Sequence, residues 1–141
     1  MQEVDGRILD AAGRLTDLSF LRMKPEALLA DLQSLFELYG DSFEEVMEGV
    51  VKALKDIVQE RVSVASMKYN LAQYSCYHFQ SIVGQGKSAD MRILFKRTED
   101  GALEVEMMGN RFFPADIYSR AIERIEYYLI ESNTGLEEKA E

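Results

Sequence analysis

Two runs of alternating apolar and polar residues, both within residues 91–108, constrain the fold of this chain more than any other feature. The runs flank the tripeptide Glu99-Asp100-Gly101. Alternation on both sides of an Asp-Gly pair is typical of a β-hairpin. Because a lone hairpin is only marginally stable in water, it must pack on helices or pair with further strands.

The side-chain pattern selects the length of the hairpin loop. A two-residue turn would place Phe95 opposite Glu106, so that apolar and charged side chains share one face. A three-residue loop, with Gly101 in the left-handed conformation at a bulge, keeps the faces separate. This loop predicts the pairs Phe95 with Val105, Ile93 with Met107, and Lys96 with Glu104 on the other face.

The first sixty residues have the periodicity of three amphipathic helices. Pro25 suits the first turn of the second helix, and Gly40 is a stop signal at its end. Ser42 followed by Glu45 predicts a capping box before the third. The predicted apolar faces are Ile8, Leu9, Ala12, Leu15 and Leu18; Leu28, Leu29, Leu32, Leu35, Phe36 and Tyr39; and Phe43, Val46, Met47, Val50, Leu54 and Ile57.

Two further segments complete the secondary-structure prediction. Residues 62–68 are compatible with a short strand or with a helix, and the spacing over 69–83 favours a helix. After the hairpin, Pro114 is suited to begin a final amphipathic helix that ends before Gly135. Its predicted apolar face is Ile117, Ala121, Ile125, Tyr128 and Leu129.

Charge is distributed unevenly along the 141 residues, whose net charge is −9. Residues 1–60 carry a net −7, whereas residues 61–97 carry a net +5. Such an overall charge argues against a chain that is basic all over, as a general nucleic-acid binder would be. The basic segment either attracts the acidic elements of the same chain or meets a phosphate or an acidic partner.

The sequence contains only incomplete versions of several common catalytic and binding motifs. Gly86-Lys87-Ser88 looks like the end of a phosphate-binding loop, but Ser81 stands where the pattern needs glycine, and the segment would open a strand.

The single histidine, His78, excludes a multi-histidine metal site. On a helix, His78 and Cys76 would diverge, so both are assigned a core or interface role. Glu44 and Glu48 share a helix face without an accompanying Glu-x-x-His motif and are assigned to solvated surface.

The stretch 68–79 interleaves aromatic and polar residues. Such residues stack on unpaired bases while cations hold phosphates, but they also fill cores and dimer interfaces. The helical spacing favours packing.

The segment 86–118 resembles the C-terminal half of the RelE/ParE toxin superfamily. The matching features are Arg92 near the start of a strand, the turn at Asp100-Gly101, the corner Gly109-Asn110-Arg111, and Tyr118 shortly after. Ribosome-dependent members cleave mRNA with basic and aromatic side chains and no metal, whereas ParE members poison gyrase. The chain departs from the family in having Asn110 where the corner has His, a long helix after the corner, and an acidic helical front.

This resemblance implies roles for four residues. Arg92 and Arg111 would bind phosphate or stabilise developing negative charge, and Tyr118 or Lys96 would assist proton transfer. The acidic helices would then cover the basic sheet face, as a built-in inhibitor does.

The sequence therefore predicts a single α+β domain over residues 1–141, with a helical N-terminal half, an antiparallel hairpin and a C-terminal helix packed on the sheet. Its parts are an acidic helical part (1–60), a basic α/β part (61–134) and a frayed tail (135–141). With one cysteine, no signal-like N-terminal run and no apolar stretch near ~18 residues, we expect a cytoplasmic protein without a membrane segment.

Two functions remain open at this point. The first is a non-catalytic protein-interaction or regulatory module, with a protein partner or a homo-oligomer and with no cofactor or metal. The alternative is a RelE/ParE-like toxin, a metal-independent ribonuclease or a gyrase-directed protein, that uses Arg92, Lys96, Arg111 and Tyr118.

Overall fold

The computed structural model describes residues 5–82 and 88–140, except the side chains of 133–140. The helices are α1 (Gly6–Thr16), α2 (Pro25–Tyr39), α3 (Phe43–Val58) and α4 (Ile117–Ala140). The strands are β1 (Leu21–Arg22), β2 (Ala65–Ser66), β3 (Ser75–Phe79), β4 (Met91–Arg97) and β5 (Leu103–Asn110). The fold is α+β, as the sequence predicts.

The five strands form one mixed sheet in the order β1-β5-β4-β3-β2, in which only the β1–β5 pairing is parallel. Helices α1, α2 and α3 pack on one face of this sheet, against Met91, Ile93 and Phe95 of β4. Helix α4 packs on the opposite face, where Ile117 and Ala121 meet Leu94. Alternation along β4 thus sends successive side chains into two separate apolar clusters.

The hairpin loop is confirmed. Gly101 has φ +86°, Phe95 pairs with Val105, and Lys96 pairs with Glu104. The predicted pairing of Ile93 with Met107 is wrong, because a bulge between Leu94 and Phe95 shifts the register and Ile93 pairs with Met108. The extra residue on β5 is Glu106, so Met108 faces α1–α3 and Met107 faces α4.

The three N-terminal helices are confirmed, with corrections at the level of single residues. Pro25 begins α2, and Gly40 ends it with φ +52°. The predicted capping box is wrong: a 3₁₀ turn over Gly40–Ser42 precedes α3, and the Ser42 side chain makes no capping hydrogen bond. Leu9, assigned to the apolar face of α1, is 53% exposed.

The helix predicted over 69–83 is wrong. A 3₁₀ turn occupies Tyr69–Leu71, and the strand β3 follows it. The sequence left open whether residues 62–68 form a strand or a helix. In the structure, Ala65 and Ser66 form the short edge strand β2. The Gly86-Lys87 part of the loop-like motif lies outside the described residues.

The C-terminal helix differs from its prediction at both ends. Pro114 precedes α4, whose first turn is capped by Asp116, since the carboxylate accepts a hydrogen bond from Ser119 N at 3.0 Å. The helix continues past Gly135 to Ala140. Leu129, assigned to its buried face, is 58% exposed. Within residues 5–82 and 88–140, no helix is long and apolar enough to cross a membrane.

A buried ion pair between Asp31 of α2 and Arg124 of α4 joins the two layers. The Arg124 guanidinium contacts the two Asp31 carboxylate oxygens at 2.7 and 3.1 Å. Strand β1 pairs only with Leu103 and Glu104, so the rest of the outer edge of β5 has no strand partner. Asp31 accepts the Met108 N–H at 3.0 Å, and Arg124 donates to the Glu106 carbonyl at 2.9 Å. The pair therefore closes an edge that would otherwise be open to another strand.

We expect Arg124→Gln to lower the free energy of unfolding by about 3–5 kcal/mol, because Asp31 is left as an unpaired buried charge. The double variant Asp31→Leu/Arg124→Leu should lose less than the sum of its two single variants, since neither charge is stranded. Urea unfolding followed by circular dichroism measures both. Lys52→Gln is the control, because Lys52 is exposed and its partner Asp56 keeps Arg61. Equal losses for Lys52→Gln and Arg124→Gln would contradict this account.

Candidate functional site: a cationic cluster around Tyr118

The hydroxyl of Tyr118 lies between an arginine and the only histidine of the chain. Arg92 Nε donates to it at 3.1 Å, and His78 Nε2 lies 3.5 Å from it. The guanidinium carbon of Arg111 is 4.5 Å from the centre of the Tyr118 ring. These four residues, His78, Arg92, Arg111 and Tyr118, are called the Tyr118 cluster.

The sheet and the first turn of α4 bring the cluster together. His78 and Arg92 are directly paired across β3 and β4, so their side chains rise side by side on the α4 face. Tyr118 is the second residue of α4 and reaches down to them. Beneath it lies the buried thiol of Cys76, whose Sγ is 3.8 Å from the Tyr118 hydroxyl.

Arg111 is positioned by the corner that follows β5. The side-chain oxygen of Asn110 accepts hydrogen bonds from Phe112 N at 2.8 Å and Phe113 N at 3.0 Å. Its amide donates to the Tyr39 hydroxyl of α2 at 2.9 Å, which fixes the corner to the helical layer. Arg111 then forms an ion pair with Asp116, just before α4. Asn110 has a positioning role in this corner.

The protonation states follow from burial and charge. Partial burial, and then the positive charges of Arg92 and Arg111, lower the pKa of His78 below its ordinary value of 6.5. Burial is also the main cause that raises the pKa of Tyr118 and that of Cys76. At neutral pH the histidine is therefore uncharged, the tyrosine keeps its hydroxyl proton, and the cysteine is a thiol.

The cluster carries more positive charge than its carboxylates neutralise. Among the residues that the structure describes, Arg92 has no carboxylate partner, and Asp116 is paired only with Arg111. Arg92 instead donates to the carbonyls of Ala89 and Met91, both at 2.9 Å. His78 is exposed and Arg92, Arg111 and Tyr118 are half-buried, so the cluster is open to a ligand. Its arrangement suits an anion such as a phosphate.

Three of the four residues predicted from the sequence meet here, and the fourth does not. Lys96 lies four residues further along β4, about 13 Å from Arg92 at ~3.3 Å per residue. Its ammonium is 5.0 Å from the centre of the Tyr74 ring, and it pairs across the hairpin with Glu104. Lys96 is therefore not part of the Tyr118 cluster.

The acidic helices do not cover this cluster. Helices α1, α2 and α3 pack on the opposite face of the sheet from Arg92 and Tyr118. The expectation that they shield the basic face, as a built-in inhibitor does, is wrong, because the apolar side chains of β4 face them instead.

Sequence reasoning missed His78. It placed Cys76 and His78 on a helix, where residues two positions apart diverge, but they lie on strand β3. In a strand, residues two positions apart lie on the same face, and both contact Tyr118. The β-hairpin that follows in the chain could have indicated this strand, because a strand before Met91 can pair with β4 and extend the sheet.

Within the described ranges, 5–82 and 88–140, no three metal-ligating side chains gather into a possible metal site. Comparison with protein-family models, curated proteins and solved structures finds no match to this chain.

Because His78 is the only histidine, its imidazole gives an unambiguous NMR signal. We expect its pKa to lie below 6.5 and to rise in Arg92→Gln, since one of the nearby positive charges is removed while burial is retained. Lys96→Gln, a charge loss elsewhere on the same strand, should leave the titration unchanged. A His78 pKa above 6.5, or equal shifts in the two variants, would contradict the described cluster.

Proposed function

We propose that this chain acts on RNA at the Tyr118 cluster, as a metal-independent ribonuclease of the RelE type. The observation that carries the proposal is the Tyr118 hydroxyl, held between Arg92 Nε and His78 Nε2 with the Arg111 guanidinium over its ring. The resemblance of residues 86–118 to the RelE/ParE superfamily independently directs attention to Arg92, Arg111 and Tyr118.

The cluster supplies the groups that cleavage of an RNA phosphodiester requires. Arg92 and Arg111 hold the phosphate and stabilise the negative charge that grows on its oxygens. Neutral His78 takes the proton of the ribose 2′-hydroxyl through Nε2, and the 2′-oxygen attacks phosphorus. The bond from phosphorus to the 5′-oxygen breaks, and that oxygen takes the Tyr118 hydroxyl proton. The proton on His78 then returns to Tyr118 across their 3.5 Å contact.

Purified protein should cleave single-stranded mRNA, with or without bacterial ribosomes, to 2′,3′-cyclic phosphate and 5′-hydroxyl ends. Tyr118→Phe should slow cleavage by about 10²–10⁴-fold, the usual contribution of a general acid or base. Arg92→Gln/Arg111→Gln should abolish it, and growth arrest on induction should follow the same order. The rate should rise with pH through the His78 pKa, below 6.5, because only the neutral imidazole accepts a proton.

Lys96→Gln is the matched control and should cleave at the parent rate, since Lys96 lies outside the cluster. Circular dichroism confirms that each variant is folded. An absence of cleavage by the parent protein, or equal loss in Lys96→Gln and Tyr118→Phe, would overturn the proposal. Arrest with inhibited DNA supercoiling and intact mRNA would point to gyrase instead.

A protein-interaction role is the second candidate function, and the exposed end of α4 favours it. Tyr127, Leu129 and Ile130 are 56%, 58% and 65% exposed. From Leu129 to Ser132 every side chain of α4 is exposed, although the helix continues to Ala140. Association with the same helix of a second copy would bury the exposed Leu129 and Ile130 side chains and so stabilise this part of α4.

If α4 mediates a homodimer, Ile130→Lys should convert the protein to a monomer, which light scattering after size-exclusion chromatography measures. Leu9→Lys is the control, because Leu9 is an exposed apolar residue of α1, on the other side of the sheet. A parent protein that is monomeric at all concentrations would exclude a homodimer through α4.

A further inference from the structure

Two exposed aromatic side chains lie next to residues of the Tyr118 cluster. Tyr69 is 92% exposed and Phe112 is 74% exposed. Tyr69 and Tyr118 line the same groove, of about 390 Å³, between the segment 66–71 and α4. The ring centre of Phe112 is 5.0 Å from the Arg111 guanidinium carbon. Arg111 therefore contacts both the Phe112 and the Tyr118 rings, at 5.0 and 4.5 Å.

The backbone of Tyr69 is held in an unfavourable conformation. Its φ is +57°, in the left-handed region that an aromatic residue rarely adopts. The residues around it are well anchored: Leu71 is buried, and Met67 N donates to the Tyr74 carbonyl at 3.0 Å. Burial of the ring does not offset the strain, because the ring is exposed. Backbone strain maintained without local benefit is a feature of ligand-binding positions.

The groove beside Tyr69 suits a flat, apolar ligand group. Met67, Leu71 and Ile122 provide apolar walls, and its volume is within the ~300–1,000 Å³ of small-molecule sites. Lys68 lines the same groove and adds positive charge next to the ring. An aromatic base attached to a phosphate backbone has this combination of properties.

We propose that Tyr69 and Phe112 are base-stacking residues, which hold the two nucleobases on either side of the phosphate bound by the Tyr118 cluster. The inference rests on the proposed function and adds that the single-stranded RNA is bound with its bases unstacked. In a duplex the base faces are covered by neighbouring pairs, so neither ring would reach them. Stacking tolerates any base, because every base has a π-face, so these two positions should impose little sequence preference.

The test measures binding of a 2′-O-methyl RNA oligonucleotide, which cannot be cleaved because its 2′-oxygen is blocked. A 2-aminopurine in the oligonucleotide reports stacking through quenching of its fluorescence. Tyr69→Gly should weaken binding by about 5- to 150-fold and reduce the quenching, as loss of one base–aromatic stack does. It also removes the backbone strain, so a weaker affinity cannot be assigned to misfolding if thermal stability is retained.

Two further variants separate the ring from other effects. Tyr69→Phe keeps the ring and should bind as the parent does, and Phe112→Leu should weaken binding like Tyr69→Gly. Tyr127→Gly is the control, since Tyr127 is exposed but lies beyond the cluster on α4. Duplex RNA of the same sequence should bind more weakly than the single strand.

The outcomes distinguish this inference from the function on which it rests. If Arg92→Gln/Arg111→Gln abolishes binding while Tyr69→Gly and Phe112→Leu bind like the parent, the RNA function stands and the stacking role is wrong. Equal binding of duplex and single strand overturns the stacking role as well. If the parent binds neither RNA, both the function and the inference are overturned.

Discussion

The ion pair between Asp31 and Arg124 is the interaction on which the arrangement of the layers depends. Asp31 belongs to the front helical layer and Arg124 to the C-terminal helix, and between them lies the outer edge of β5. Each charged side chain also satisfies a backbone group of that edge. Arg120 continues the same pattern one turn earlier in α4, since it donates to the Asn110 carbonyl at 3.0 Å. The register of α4 against the sheet is therefore fixed by polar contacts as well as by apolar packing.

That register determines where the functional groups lie. When Arg120 and Arg124 are bonded to the β5 edge, Tyr118 is held over β3 and β4, next to His78 and Arg92. The corner at Asn110, anchored to α2 through Tyr39, brings Arg111 to the same place. The acidic front half thus contributes to the site by holding the corner and α4 from a distance. On the α4 face, Arg92 has no carboxylate partner among the described residues, whereas Arg61 pairs with Asp56 of α3 and Arg97 donates to the Ile57 carbonyl. An acidic protein can therefore carry a locally cationic site.

Much of the fold follows from local sequence patterns, and the missed parts have physical reasons. The helices α2 and α3 and the loop at Gly101 were predicted because each depends on periodicity or on one special backbone conformation. Strand β3 was missed because both its faces are partly covered, so Tyr77 and Phe79 alternate with Cys76 and His78 without a clear polar face. The bulge at Glu106 was missed because alternation does not reveal an extra residue.

The prediction of the site residues succeeded or failed together with the prediction of the elements that carry them. Arg92, Arg111 and Tyr118 were singled out by the resemblance of residues 86–118 to the RelE/ParE superfamily, which rests on the hairpin and its corner. His78 was misplaced when its strand was taken for a helix. Lys96 was included on the resemblance alone, although four residues of strand separate it from Arg92. Asp31 was missed altogether, because a buried carboxylate looks like surface until its partner, 93 residues away, is known.

The central claim is that the Tyr118 cluster binds the phosphate of RNA, and the His78 resonance tests it most directly. Titration with a single-stranded 2′-O-methyl RNA should shift this signal in a saturable way. It should also raise the His78 pKa, because the bound phosphate offsets the positive charges of Arg92 and Arg111. A His78 resonance and pKa that remain unchanged at saturating RNA would contradict the account.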